Sequence, residues 1–227
     1  MTLSSIKIKS YSKLPALHLE WLSLKDHFVA TVGPASGQGH PLKNLLVLAD
    51  AKFQAKSRFP QHPHRDMEIL TWVAKGTLQH YDNNGTDQSV PEKSLQLMSA
   101  RDGIFHAEGN ASDAEVRMLQ IWITPQTKGG TPVVDQTELT GSGFKLLAGP
   151  EDAPLIIRQK AWFYAAAIEN EHGETLEVPE GKMGYAISIG ELSWNDEKAS
   201  DGDGLLLSEG VVRVTGRGQA IIILQNK

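Results

Sequence analysis

The stretch "FPQHPHRDMEILTWVAKG" places His62 and His64 on either side of Pro63, and "RDGIFHAEGN" places His106 two residues before Glu108. In a β-strand, residues two apart point to the same face with Cα atoms roughly 6–7 Å from each other. His62 and His64 can therefore converge on one ion while Pro63 faces away, and His106 and Glu108 form a second pair of ligand-type side chains. On neighbouring strands of a barrel, the two pairs would set three imidazoles and a carboxylate around one cation. Such a set suits iron, manganese, cobalt, nickel, copper or zinc, and an octahedral ion would keep two positions open for a substrate. A metal there acts as a Lewis acid, and Glu108 is the candidate catalytic group that accepts a proton from a bound hydroxyl. The competing reading of each pair alone is a surface or hydrogen-bonding feature.

Other residues near these pairs read differently. Glu68 follows His64 by four residues, about 13 Å along an ideal strand, too far to share an ion without a sharp bend. It is expected in a supporting role. Arg65 and Asp66 directly follow the histidines and either orient an imidazole or the Glu108 carboxylate, or form a solvent-facing ion pair. His80 is expected to be an ordinary hairpin histidine, and His18, His27, His40 and His172 take similar readings. Trp72, Phe105 and Trp122 are expected in the core rather than as a substrate platform.

The elements that must position these groups are strands. "KNLLVLADAKF", "MEILTWVAKGTLQHYD", "KSLQLMSA", "EVRMLQIWI", "GYAISIGELSW", "GLLLSEGVVRVTG" and "QAIIILQ" are short, rich in Val, Ile, Leu and Trp, and bounded by Gly, Asn, Asp or Pro. That is the pattern of an all-β sandwich or barrel. Asn84 and Gly85 mark a hairpin turn with positive-φ positions. Helices should be few and short, with "PLKNLL" the one specific hint. Around 129–143 the chain collects Gly, Pro, Thr and polar residues without periodicity, which predicts a linker between domains 1–128 and 144–227. The halves resemble each other: "MEILTWVAKGTLQ" and "MGYAISIGELSW" each run an apolar strand into Gly and a further strand, the sign of a weak internal duplication. The histidines are unevenly shared, since of the eight only His172 follows the linker. The first module is thus expected to be the active one.

The formal net charge of −5 and pI near 5.9 argue against direct nucleic-acid binding, which needs a basic field. With no cysteine, a metal must be held by His, Asp or Glu. No run approaches the roughly 18 apolar residues of a membrane span, and the start lacks the apolar core of a signal peptide, so a soluble cytoplasmic protein is expected.

"HPHRDMEILTWVAKGTLQHYDNNG", "LQLMSARDGIFHAEGN" and "MLQIWITP" together resemble the pirin family of the cupin superfamily, continuously from about Leu45 to Pro125. The second half resembles the family's C-terminal barrel in outline. The resemblance implies an all-β bicupin of two jelly-roll-like barrels, the second without metal ligands. It implies one divalent transition metal, usually iron and here Fe(II), held by His62, His64, His106 and Glu108. The implied activity is quercetin 2,3-dioxygenase: a flavonol-like hydroxylated aromatic is cleaved with O2 to a depside and carbon monoxide, Glu108 taking the proton of the 3-hydroxyl. Eukaryotic pirins imply an alternative, a non-enzymatic iron-binding, redox-sensing regulator that binds a protein partner. A third reading is metal chemistry on another small hydroxylated molecule. The chain departs from the family pattern at Pro91–Ser94, which reads "PEKS" in place of a Pro-Gly-Asp turn, and at Arg101, where glycine is usual. Losing glycine at two turns is expected to alter the loops near the site mouth. The segment with His27 and Phe28 matches the family loosely.

Overall fold

A computed structural model of the chain describes residues 2–29, 44–169 and 172–227. Among these residues the architecture is all-β: there is no α-helix, and the only helical turn is the 3-10 segment Tyr11–Lys13. Residues 41–43 of the "PLKNLL" stretch lie outside the described residues, and from Leu45 onward it is strand. No helix among the described residues is long and apolar enough to cross a membrane.

Two barrels stand back to back, as expected of a bicupin. The first is built from a seven-stranded sheet and a five-stranded one. The seven-stranded sheet runs in the order Val133–Glu138, Ser94–Ser99, Glu68–Lys75, Val116–Ile123, Leu45–Phe53, Leu22–Val29, Ala16–His18. Its central strands are apolar on both sides because each side is covered. Leu70, Trp72 and Ala74, with Leu95, Leu97, Leu119 and Ile121, face the second barrel and join one large core. The alternate residues Val73 and Met118 pack inside the first barrel with Phe53, Leu78 and Val90. Ala161, Phe163, Ala165, Ile187, Ile221 and Ile223 complete the shared core from the other side. This double coverage explains why the strands read as continuous apolar runs rather than alternating ones.

The second barrel is a nine-stranded sheet wound on itself around the long strands Lys182–Trp194 and Gly210–Asn226. These two pair over their length, with Gly190 opposite Gly218. Both glycines have positive φ, and a Cβ on either would strike the facing backbone, so together they let the paired strands turn from one wall to the next. Inside lie Trp194, Val212, Val214, Ala220, Ile222 and Leu224.

Two segments behave differently from the expected division. Val133–Glu138, inside the stretch read as a linker, is an edge strand antiparallel to Ser94–Ser99. It is mostly solvent-facing, so a polar composition suffices for it and hides it from hydrophobic periodicity. Ile6–Lys9, near the start of the chain, pairs with Gly204–Leu207 and so belongs to the sheet of the second barrel. At the two altered turns, Lys93 (φ 61°) and Arg101 (φ 41°) adopt the left-handed conformation despite carrying side chains. Backbone bonds hold them there: Lys93 N–H donates to Val73 O at 2.8 Å, and Arg101 O accepts from Asp66 N–H at 2.9 Å.

Candidate metal centre

The strand Ile104–Asn110 lies between His62–His64 on one side and Thr77–Asp82 on the other. His106 sits opposite His62 in one register and opposite Asp82 in the other, while Glu108 faces His80. Alternation sends Pro63 and Phe105 outward, Phe105 being 51% exposed, and turns the histidines inward. The ring centroids are 4.9 Å apart for His62 and His64, 4.5 Å for His62 and His106, and 5.0 Å for His64 and His106. One nitrogen from each of these three imidazoles lies within 4.8 Å of the others.

The donor set fits a cation. Nε2 of His64 and both ring nitrogens of His106 are buried without a hydrogen-bond partner, which native interiors rarely tolerate. His62 Nδ1 lies 2.9 Å from Pro60 O, a carbonyl that can only accept. Its proton therefore sits on Nδ1, and the Nε2 lone pair is left for a ligand. Burial first, then the neighbouring His106 and His62, pushes the His64 imidazole down to about 3. Burial, with His62 and His80, does the same for His106, also to about 3. Both rings are therefore neutral at physiological pH, the form that ligates a metal.

Glu108 is buried at 1% exposure and held on both oxygens. Thr71 Oγ1 donates to Oε1 at 3.1 Å and Gln120 Nε2 donates to Oε2. Trp122 Nε1 in turn donates to Gln120 Oε1 at 3.2 Å, and the Trp122 ring meets His64 edge-on at 4.8 Å. Glu108 groups with His80 and His106, whose ligand atoms also lie within 4.8 Å of one another, rather than directly with His62 and His64. The four residues singled out by spacing are thus gathered, together with His80, as two triads sharing His106.

His80 is the residue that spacing undervalued. It is fully buried, its Nε2 lies 3.0 Å from Asp82 Oδ2, and its Nδ1 has no partner. Its ring centroid is 5.3 Å from that of His106. Burial opposes charge on Asp82, but hydrogen bonds from His80, Thr86 and Asn84 bring its carboxyl below the ordinary value. The same two-residue spacing that identifies the ligand pairs would have found His80 with Asp82. Thr71 and Gln120 carry no sequence signal beyond lying on inward positions of strands.

The remaining expectations resolve individually. Glu68 is buried, accepting from Ser99 Oγ at 2.7 Å and pairing with Arg158 Nε of the second barrel at 3.2 Å, a supporting position. Arg65 is exposed and Asp66 accepts from Gly129 N–H at 3.0 Å, so neither orients an imidazole. Trp72 is core, donating to Gln219 Oε1 at 2.9 Å, whereas Phe105 is not core but surface, because its neighbours His106 and Ile104 take the inward positions. His18 is exposed beside Ser23, His27 is buried against Tyr185 OH at 2.9 Å, and His40 lies outside the described residues.

Comparison with known proteins bears on both barrels. The Pirin family profile matches residues 12–123, and that of the Quercetinase C-terminal cupin domain matches 146–224. The chain is 36% identical over 168 residues to a quercetin 2,3-dioxygenase of Escherichia coli K12, covering 72% of this chain and 73% of that one. It is 31% identical over 228 residues to a pirin-like protein of Caulobacter vibrioides, covering 95% and 97%. The crystal structure of the bacterial pirin YhhW from Escherichia coli in complex with nickel(II) superposes with a TM-score of 0.85 at 27% identity, covering 98% of this chain and 99% of that one.

Proposed function

The chain belongs to the pirin family, and from that premise we propose that its first barrel holds one divalent transition metal, Fe(II), and cleaves a flavonol-like substrate with O2 as a quercetin 2,3-dioxygenase. The observation that carries this reading is that His62, His64 and His106 each offer a ring nitrogen within 4.8 Å of the others, with His64 Nε2 and both His106 nitrogens buried and unpartnered. His62, His64 and His106 would hold the ion, with Glu108 as the fourth ligand. Once bound, the metal supplies Lewis acidity and a site for activating a phenolic oxygen and O2.

The protein's own contribution is positional and protonic. Glu108 is fixed by Thr71 and Gln120, so its carboxylate presents a set orientation to an incoming hydroxyl. Glu108 Oε2 takes the proton of the flavonol 3-hydroxyl, and the Gln120 amide, itself held by Trp122, steadies that oxygen during transfer. Trp122, half-buried beside His64, offers an apolar wall that keeps water from the ring. The atoms balance: flavonol plus O2 gives the depside plus CO.

The test is anaerobic reconstitution with Fe(II), addition of quercetin and air-saturated buffer, and parallel recording of O2 uptake and CO release. The wild-type chain should take up O2 and release CO. Glu108→Gln should lose roughly 100-fold or more in kcat, the scale of a lost general base. Tight metal binding without O2 uptake or CO would sink the quercetinase reading and leave a metal-bearing regulator or another hydroxylated substrate.

A further inference from the structure

The second barrel carries no metal-ligand group among its described residues, but it is not closed. On the strand Ala161–Ile168, Ala161, Phe163 and Ala165 face the shared core, while Trp162 and Tyr164 turn toward the barrel's own interior and remain half-buried. They line a cavity of about 800 Å3 together with Leu146, Ile156, Arg158 and Lys160. That size is ample for a small ligand. Ile156 is 51% exposed there, so apolar surface is left in contact with water.

The lining carries Arg158 and Lys160 against Glu151 and Asp152, and Lys182 stands beside it over the Trp162 ring. Arg158 is clamped from the first barrel: Nε pairs with Glu68 and Nη1 donates to Gly129 O at 2.7 Å. Its Nη2 is buried with no partner, a fixed donor awaiting an acceptor. Lys182 Nζ lies over the Trp162 ring, and neither Lys182 nor Lys160 forms an ion pair among the described residues. Burial, and after it the like charge of Lys160, lowers the Lys182 ammonium from its ordinary value. Glu151, Asp152 and Lys160 are all exposed, where water screens them alike, so the shielded charges are those of Arg158 and Lys182.

We propose that this opening is a second binding site, for a small planar aromatic carboxylate whose ring lies against Trp162, Tyr164 and Ile156 and whose carboxylate meets Arg158 Nη2 and the two lysines. The assignment is independent of the chemistry in the first barrel. Planarity follows from two aromatic side chains two residues apart on one strand, and the charge from one orphaned guanidinium nitrogen and two unpaired ammonium groups.

Calorimetric titration of the metal-loaded full chain with 2-naphthoate tests it. Saturable binding at one site per chain is expected, weakened at least tenfold by Trp162→Ala and several-fold by Lys182→Met, and unchanged by His62→Ala. The uncharged 2-naphthylmethanol and the non-planar decahydro-2-naphthoate should each bind at least tenfold more weakly. Absence of saturable binding would overturn the proposal, as would equal affinity for the alcohol. So would binding that survives Trp162→Ala but disappears in His62→Ala, since that places the ligand in the first barrel.

Discussion

The two barrels pack against each other around one core, yet their interiors differ in polarity. Inward positions of the second barrel carry Ala166, Ile168, Val212, Val214, Ala220, Ile222 and Leu224, an ordinary apolar filling. Corresponding inward positions of the first carry Thr71, His80, His106, Glu108 and Gln120, all but Gln120 fully shielded from water. Burying unpartnered imidazole nitrogens costs about 1–3 kcal/mol each. A lone small barrel with such a filling would be marginal. The difference teaches a division of labour: the second barrel supplies apolar surface that stabilises a first barrel whose interior carries buried polar, ligand-type side chains.

The sharpest way to break this comparison is at His106, which belongs to both triads. His106→Ala should lower metal affinity by on the order of 100-fold or more, measured by metal content after dialysis against a weak chelator. Trp162→Ala in the second barrel should leave metal content unchanged. Next in size is Phe163→Ala, in the shared core, which should cost about 3–5 kcal/mol in denaturant unfolding. Because the core is common, the loss should appear in a single transition reported by both barrels. Two separated transitions would show that the barrels stabilise themselves independently.

Acid provides a finer test at the polar end of the same contact. His27 of the first sheet is buried against Tyr185 of the second, and burial, followed by the charges of Lys9 and Arg117, lowers its imidazole to about 3. The unfolded chain binds this proton near pH 6.5, whereas the folded chain refuses it until about pH 3. Stability contributed by neutral His27 is therefore present above pH 6.5 and is lost as pH falls from there toward 3, at up to about 1.4 kcal/mol per pH unit. In the metal-loaded protein His27→Gln should flatten that slope. An unchanged slope would show that His27 is not the group that charges. The smallest expected effect is at the altered turns: Lys93→Gly and Arg101→Gly should each change stability by no more than about 1 kcal/mol, because relief of the left-handed conformation is offset by the freedom glycine gains when unfolded.

Much of this comparison could be read before any coordinates. Strands such as Leu45–Phe53, Ser94–Ser99 and Val116–Ile123 announce themselves because both their faces are buried. Ile6–Lys9 and Val133–Glu138 do not, because they are edge strands with mostly wet side chains. Asn84 and Gly85 mark their hairpin, where Gly85 takes φ 90° and Asp82 Oδ1 accepts from the N–H groups of Asn84 and Thr86. The two ligand-type pairs were visible from their spacing. The supports of Glu108 were not, since Thr71 and Gln120 reach it from strands far away in sequence, and only the pairing of those strands brings them together. The cavity of the second barrel was equally silent, because its cations and aromatics follow no motif and converge only when the barrel forms.

The most direct measurement is the iron K-edge X-ray absorption spectrum of the Fe(II)-reconstituted chain, with metal counted per chain. The account predicts one iron per chain with three imidazole ligands, a signature lost in His106→Ala and kept in Trp162→Ala. Iron bound without imidazole scattering, or retained in full by His106→Ala, would contradict it.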